Sequence, residues 1–173
     1  MKKWLLILSA LLMTSCVGIP KNVQPVQSFE LNRYLGTWYE IARLDHSFER
    51  GMSQVVARYD LKPDGTVQVL NRGYVDSKQT WKEIKGTAKP VGSPTVGHLK
   101  VSFFGPFYGS YIVMDIDPQY QYALVSGPNT RYLWILSKNP SMPEDVKQKY
   151  IQKAKQLGFD TDQLIFIKQT PIT

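Results

Sequence analysis

Between Thr37 and Lys138 the chain is cut into short β-prone runs by turn chemistry, and no stretch of helical period lies between them. The candidate strands are 37–44, 54–61, 66–74, 80–89, 98–104, 109–117, 122–126 and 132–138, rich in Val, Ile, Tyr and Phe. They are separated by Lys62-Pro63-Asp64-Gly65, Asp76-Ser77-Lys78, Gly92-Ser93-Pro94, Gly105-Pro106, Asp117-Pro118 and Gly127-Pro128-Asn129. Pro fixes φ and removes a donor, Gly frees φ, and both interrupt strands. Parallel neighbours need a crossover of roughly a dozen residues or more, which these gaps do not supply. Successive strands are therefore expected to be antiparallel and to form a sandwich or a barrel.

The first run, Leu35-Gly36-Thr37-Trp38-Tyr39-Glu40-Ile41-Ala42-Arg43, alternates bulky and small residues, as a strand with two different faces does. Asn32 and Gly36 read as the turn that aims it. After Lys138 the period changes. Ser141-Met142-Pro143-Glu144 fits a capping box, and Val146, Tyr150, Ala154 and Leu157 then fall on one stripe of a helix that Gly158 suits to end. Leu164-Ile165-Phe166-Ile167 reads as a last short strand.

Period-2 parity sorts the strand faces. Ala57, Tyr59 and Leu61 share a side opposite Arg58 and Asp60; Val67, Val69, Asn71 and Gly73 oppose Gln68, Leu70 and Arg72. Leu99, Val101 and Phe103 oppose Lys100 and Ser102, and Tyr132, Trp134, Leu136 and Lys138 share a face. Charges stay in water unless paired, so Ala57, Val69 and Val101 mark the inside. That wall also carries Tyr59, Asn71, Phe103 and Trp134. Each alone suits a core. Together, a Tyr hydroxyl, an Asn amide and a Trp N–H need partners inside and suit an apolar pocket with a few oriented polar groups.

The N-terminus reads as an address. Lys2-Lys3 followed by the apolar run from Trp4 to Met13 has the order of a secretory signal, and that run is far shorter than the roughly 20 residues that span a bilayer. The single cysteine, Cys16, cannot form an internal disulfide. Its setting after Ser15 resembles the lipobox of bacterial lipoproteins, with Met13 where Leu is usual. The expected layout is a signal peptide at 1–15, a lipidated N-terminus and tether at 16–28, and one domain at 29–173. Acylation of Cys16 would hold the chain on a membrane, since each buried methylene adds about 0.8 kcal/mol. Val17 lacks the Asp of an inner-membrane retention signal, which by analogy gives an outer-membrane, periplasm-facing address.

The formal charge of +7 falls to +5 once Lys2 and Lys3 leave with the signal. The remaining positive charges are scattered, with the densest run on the helix, and with secretion they argue against a nucleic-acid partner. Only His46 and His98 are histidines, so no multi-histidine metal cluster is expected. Asp45-His46-Ser47 holds triad residue types on one loop without a nucleophile elbow, and no Gly-rich phosphate loop precedes a helix. A binding protein with no catalytic residues and no cofactor is the expectation.

Gly36-Thr37-Trp38-Tyr39-Glu40 resembles the first motif of the lipocalin family, Asp117 with Tyr120 and Tyr122 a looser second, and Trp134-Ile135-Leu136-Ser137-Lys138 the third. The runs 34–43, 48–51, 100–109 and 132–137 are similar to bacterial lipocalins of the outer-membrane lipoprotein kind. The resemblance implies an all-β fold: an eight-stranded antiparallel up-and-down β-barrel with one C-terminal α-helix packed outside. It implies a fatty acid or lysophospholipid in the cavity and allows a homodimer. It sets Lys138 over Trp38 as a structural floor, where the family usually has Arg; Lys keeps the cation–π contact but not the planar fork. A more distant branch of the family maps its pocket onto Tyr59, Asn71, Phe103, Tyr111 and Trp134, four of which parity also selects, and Leu136 continues the face of Trp134.

In that topology the loops at 44–52, 74–79, 104–109 and 127–131 ring the mouth. Asp45, His46, Arg50 and Arg131 then stand at the rim, with Arg50 or Arg131 expected to meet a lipid phosphate. Phe104, Phe107 and Tyr108 make an aromatic tip that would serve as lid, dimer patch or membrane contact. The competing reading is an envelope lipoprotein with a structural or protein-contact role and no lipid cargo.

Overall fold

The computed structural model describes residues 17–170. Eight strands run up and down in chain order: β1 (Gly36–Arg43), β2 (Met52–Leu61), β3 (Val67–Val75), β4 (Thr80–Pro90), β5 (His98–Phe104), β6 (Phe107–Ile116), β7 (Tyr122–Ser126) and β8 (Leu133–Ser137). Every consecutive pair is antiparallel, and β8 returns to pair with β1, which closes the barrel. A short helix, α1 (Leu31–Tyr34), precedes the barrel; α2 (Glu144–Gln156) and a two-residue strand, β9 (Ile165–Phe166), follow it.

The chain builds two cores. Inside the barrel lie Trp38, Tyr59, Val67, Val69, Ala88, Val113, Ala123, Val125 and Leu136, capped at one end by Phe29 and Tyr34. Outside it, Ile41, Ala42, Ile112, Met114, Leu124, Leu133 and Ile135 pack against Tyr150 and Ala154 of α2 and against Phe159. Strands β6 to β8 and β1 are therefore largely buried on both faces, whereas β2 to β4 alternate, as a sheet with one wet face must. Burial of such side chains contributes about 1.5–3 kcal/mol each.

One seam of the barrel is filled by the C-terminal segment. Strands β1 and β2 pair only from Gly36 to Tyr39. Beyond that they part, and β9 pairs antiparallel with β1 through Ala42 and Arg43. Ile167 donates its N–H to the Ile41 carbonyl and Gln54 its N–H to that of Lys168. The Gln169 side-chain amide then donates to both Glu40 O and Val55 O, each at 2.8 Å, joining the two parted strands.

Several local expectations change. The capping box does not form: Pro143 stands at the helix start without a side-chain cap. Glu144 instead reaches forward, to Lys147 at 2.6 Å and to the Gln148 amide at 2.9 Å, and the Ser141 carbonyl accepts from Ser137 Oγ. Where a simple turn was expected before β1, Leu31–Tyr34 form a helical turn that plugs the barrel floor. The segment read as a tether is partly fold: Val23 is buried, Val26 donates to Val113 O and accepts from Gly97 N–H, and Phe29 donates to Thr95 O. Leu61, assigned inward by parity, is 49% exposed because β2 ends there beyond the barrel's lower edge. Strand β6 starts at Phe107, so the aromatic tip is a tight hairpin around Gly105-Pro106 and not a longer loop.

Candidate ligand site inside the barrel

The floor is built around Trp38, which is fully buried. Its Nε1–H donates to Tyr34 O at 2.7 Å, and its ring stacks on that of Tyr34 at 4.7 Å between centroids. Lys138 Nζ stands 4.4 Å from the Trp38 ring centroid and donates to the carbonyls of Tyr34 and Leu35. Gly36, at φ 94°, takes a left-handed conformation beneath it, where an added Cβ would come within 3.5 Å of that ammonium. Burial lowers the Lys138 pKa to about 8. On the same floor Asp117 accepts three backbone N–H groups, those of Gln119, Gln121 and Tyr122, which fixes the β6–β7 turn. The Tyr120 hydroxyl accepts from Glu30 N–H, and the Arg33 guanidinium covers the Tyr120 ring at 4.2 Å, so α1 is held against that turn.

Above the floor sits a chain of phenols. Tyr111 Oη is 2.6 Å from Tyr34 Oη and accepts from Tyr59 Oη at 2.9 Å. Burial raises the pKa of all three well above the ordinary tyrosine value. Each of the three hydroxyls finds its partner within this chain, so Tyr59 and Tyr111 present ring faces more than free polar groups. Higher up, Ala57, Asn71, Ile84, Phe103 and Trp134 face inward and yet are only half-buried, which leaves open space beside them. Asn71 Oδ1 is buried there without a hydrogen-bond partner. The Phe103 ring lies across Gly86, where a Cβ would come within 2.7 Å of it.

The mouth half holds charges that alternation rules keep outside. Glu40 shares the inward face of Trp38, and a bulge between Glu40 and Ala42 sends Ile41 and Ala42 outward together and returns Arg43 to the interior. Both are buried, and Arg43 Nη1 donates to Glu40 Oε1 at 2.7 Å. Arg43 faces Trp134 directly across the β1–β8 ladder. The loop after β1 folds back over them: Arg43 Nη2 donates to Glu49 O at 2.7 Å, and Trp134 Nε1 donates to Glu49 Oε2 at 3.1 Å. That same oxygen lies 3.0 Å from His46 Nε2. Burial and the nearby Glu49 carboxylate push Glu40 upward against the pull of Arg43. Burial also works to raise Glu49, but the His46 and Trp134 contacts and the Arg43 charge outweigh it and leave its pKa lowered.

The site residues expected from sequence therefore divide. Tyr59 and Tyr111 belong to the phenol chain; Asn71, Phe103 and Trp134 line the open upper interior; Leu136 is buried lower on the wall of Trp134. Arg50 and Arg131 sit on the two mouth loops that flank the β8–β1 pair, both exposed, with Arg50 Nε 2.8 Å from Asp45 Oδ2 and Arg131 turned onto Asn129. His46, expected at the rim, is buried against Trp134 and Tyr132. Cys16 lies outside the described residues. Sequence reasoning missed Tyr34, Glu40, Arg43 and Glu49. Glu40 was legible, because it lies two residues from Trp38 on the same strand face; Arg43 was hidden by the bulge.

Residues 29–169 match the family model described as a lipocalin-like domain. The chain is a lipocalin. It is 55% identical over 170 residues to the outer membrane lipoprotein Blc of Vibrio cholerae serotype O1, covering 98% of this chain and 99% of that one. It is 49% identical over 150 residues to the protein of the same name in Escherichia coli K12, covering 87% and 85%. Among solved structures, insecticyanin from the tobacco hornworm Manduca sexta superposes with a TM-score of 0.71 over 89% of this chain and 88% of that one. At 20% identity that likeness speaks to the lipocalin fold alone.

Proposed function

We propose that this lipocalin binds a fatty acid or lysophospholipid in the upper half of its barrel and stores or carries it in the cell envelope. The chain would be held at the outer membrane through an acylated Cys16. The half-buried inward wall of Asn71, Ile84, Phe103 and Trp134 carries this reading. It is mostly apolar, it has an unpartnered amide oxygen, and it lies above a floor already filled by Trp38 and the three phenols. An acyl chain suits such a wall, and one polar group fixes its head. Relatives named outer membrane lipoprotein support the anchoring.

Arg50 and Arg131 are placed to steer an anionic head toward the mouth and not to bury it, since both are exposed and one is already paired. Exposed Phe48, Phe104 and Phe107 ring the same end and suit contact with a lipid surface or with a second copy. The deciding experiment is mass spectrometry of lipid extracted from the gently purified protein, together with titration of oleate and lysophospholipid. A single-chain lipid in stoichiometric amount and saturable binding are expected. Absence of both would favour the role of an envelope protein without lipid cargo.

A further inference from the structure

Among the described residues, Glu49 is the one acidic side chain that enters the barrel from a loop and not from a strand. Its carboxylate lies against the Trp134 indole N–H at 3.1 Å and His46 Nε2 at 3.0 Å, while Arg43 grips the Glu49 backbone carbonyl at 2.7 Å. Arg43 and His46 are at most 7% exposed; Nε of Arg43 and both ring nitrogens of His46 are buried without a hydrogen-bond partner, Nε2 standing close to the Glu49 carboxylate without hydrogen-bond geometry. Buried donors of this kind are costly to leave open, which indicates a site with capacity beyond the groups that now fill it. Trp134 lies on the half-buried wall assigned to the acyl chain, so the converging donors stand beside that space.

The loop makes the arrangement reversible. Glu49 is anchored by its backbone, through Arg43 and through its carbonyl to Met52 N–H at 3.0 Å, whereas its carboxylate is held only by side chains. Rotation about its own side-chain bonds moves the carboxylate out while the turn stays in place. What it vacates is the Trp134 N–H and a His46 ring nitrogen beside one oxygen position, with the Arg43 guanidinium held at the adjoining Glu49 carbonyl, a setting that receives another carboxylate or a phosphate.

We propose that Trp134 Nε1, His46 and Arg43 form an anion subsite for the acidic head of a single-chain lipid, and that Glu49 occupies it as a stand-in until the lipid displaces it. This rests on the lipid-binding reading above and adds the head-group chemistry: a carboxylate or phosphate in place of a neutral head. Glu40, already paired with Arg43 at 2.7 Å, keeps the guanidinium oriented in both states.

The test uses the mature-length chain and displacement of an uncharged dye, N-phenyl-1-naphthylamine, by oleate, by 1-oleoyl-glycerol phosphate and by 1-monooleoylglycerol as the neutral control. Glu49→Gln removes the competing charge and is expected to tighten one or both anionic lipids about tenfold, the effect of a single charge-assisted contact, with monooleoylglycerol within about twofold. Trp134→Phe keeps the ring but loses the N–H, and is expected to weaken the same anionic lipid about tenfold with the neutral lipid again within about twofold. The lipid that gains in Glu49→Gln identifies carboxylate or phosphate as the preferred head. Equal shifts for charged and neutral lipids, or no shift for the anionic ones in Glu49→Gln, overturn the subsite while leaving lipid binding intact. If none of the three lipids displaces the dye from the wild-type chain, the lipid-binding reading falls and the subsite with it. Should Trp134→Phe lose its β-sheet circular dichroism, the Glu49→Gln comparison decides alone.

Discussion

Lys138 covers Trp38 at 4.4 Å and at the same time caps two backbone carbonyls at the end of α1, so one ammonium closes the floor and ends a helix. Because the folded chain lowers its pKa to about 8 by burial while the unfolded chain keeps an ordinary lysine, the unfolded state binds more protons between those values. The Lys138 contribution to stability is therefore expected to rise as pH climbs from about 8 toward about 10.4. Arg at this position does not titrate there. Urea unfolding of wild type and Lys138→Arg between pH 7.5 and 10 should show the wild type gaining on the variant as pH rises; a constant difference would remove the titration from the floor.

Trp38 itself is expected to matter for stability and not for ligand choice. It is fully buried, so Trp38→Ala should cost about 3–5 kcal/mol, from lost burial plus the cavity left under Tyr34. Trp38→Phe keeps most of the packing and loses one hydrogen bond to the Tyr34 carbonyl, which keeps its contact with Lys138, for about 1 kcal/mol. Denaturant midpoints check both. Lipid affinity measured well below the melting transition should stay within about twofold of wild type for Trp38→Phe, because the phenol layer separates the floor from the upper interior.

The floor and the barrel were legible in the sequence because they rest on short-range rules. Pro and Gly at fixed offsets set the strand ends, period 2 set Tyr59, Val69 and Trp134 inward, and the Gly36–Trp38 spacing set the floor. The mouth was less legible, for physical reasons. A bulge at Glu40–Ala42 breaks period 2 and turns Arg43 inward, and no alternation rule survives an inserted residue. His46 and Glu49 lie on a loop, where polar residues read as solvated, yet loop and strand supply each other's partners and so both are buried. Rules that send charges to water hold for single residues and fail for a set that pairs itself. The absent Ser141 cap has a similar origin, since a proline at the helix start leaves the hydroxyl in the turn that closes onto β8.

Breaking the interior ion pair should be far worse than removing it whole. Arg43→Ala leaves Glu40 buried without its partner and frees the Glu49 carbonyl, for an expected loss of about 3–5 kcal/mol. A double variant, Arg43→Met with Glu40→Leu, removes both charges and replaces them with apolar volume, and should fall short of the single variant's loss by more than about 1 kcal/mol. Denaturant unfolding of the wild type, Arg43→Met, Glu40→Leu and the double forms the cycle. Additive losses would mean that Glu40 and Arg43 do not act as a pair.

Gly86 is expected to set the shape of the upper wall. A Cβ there would lie 2.7 Å from the Phe103 ring and 2.7 Å from the Ser102 carbonyl oxygen, and only the ring is free to give way. Gly86 lies on β4 beside β5, so the Ser102 oxygen is held by the sheet and the clash cannot be absorbed by the backbone alone. Gly86→Ala should therefore destabilise by about 1–3 kcal/mol and swing Phe103 into the space where an acyl chain is proposed to lie. Long-chain lipids should lose affinity more than short-chain ones, because the intruding ring shortens the wall without touching the head-group donors near Trp134. Pairing Gly86→Ala with Phe103→Leu removes the clash with the ring but not the one with the Ser102 carbonyl, so it should restore chain-length tolerance more fully than stability. If Gly86→Ala melts and binds as the wild type does, Phe103 does not define that wall.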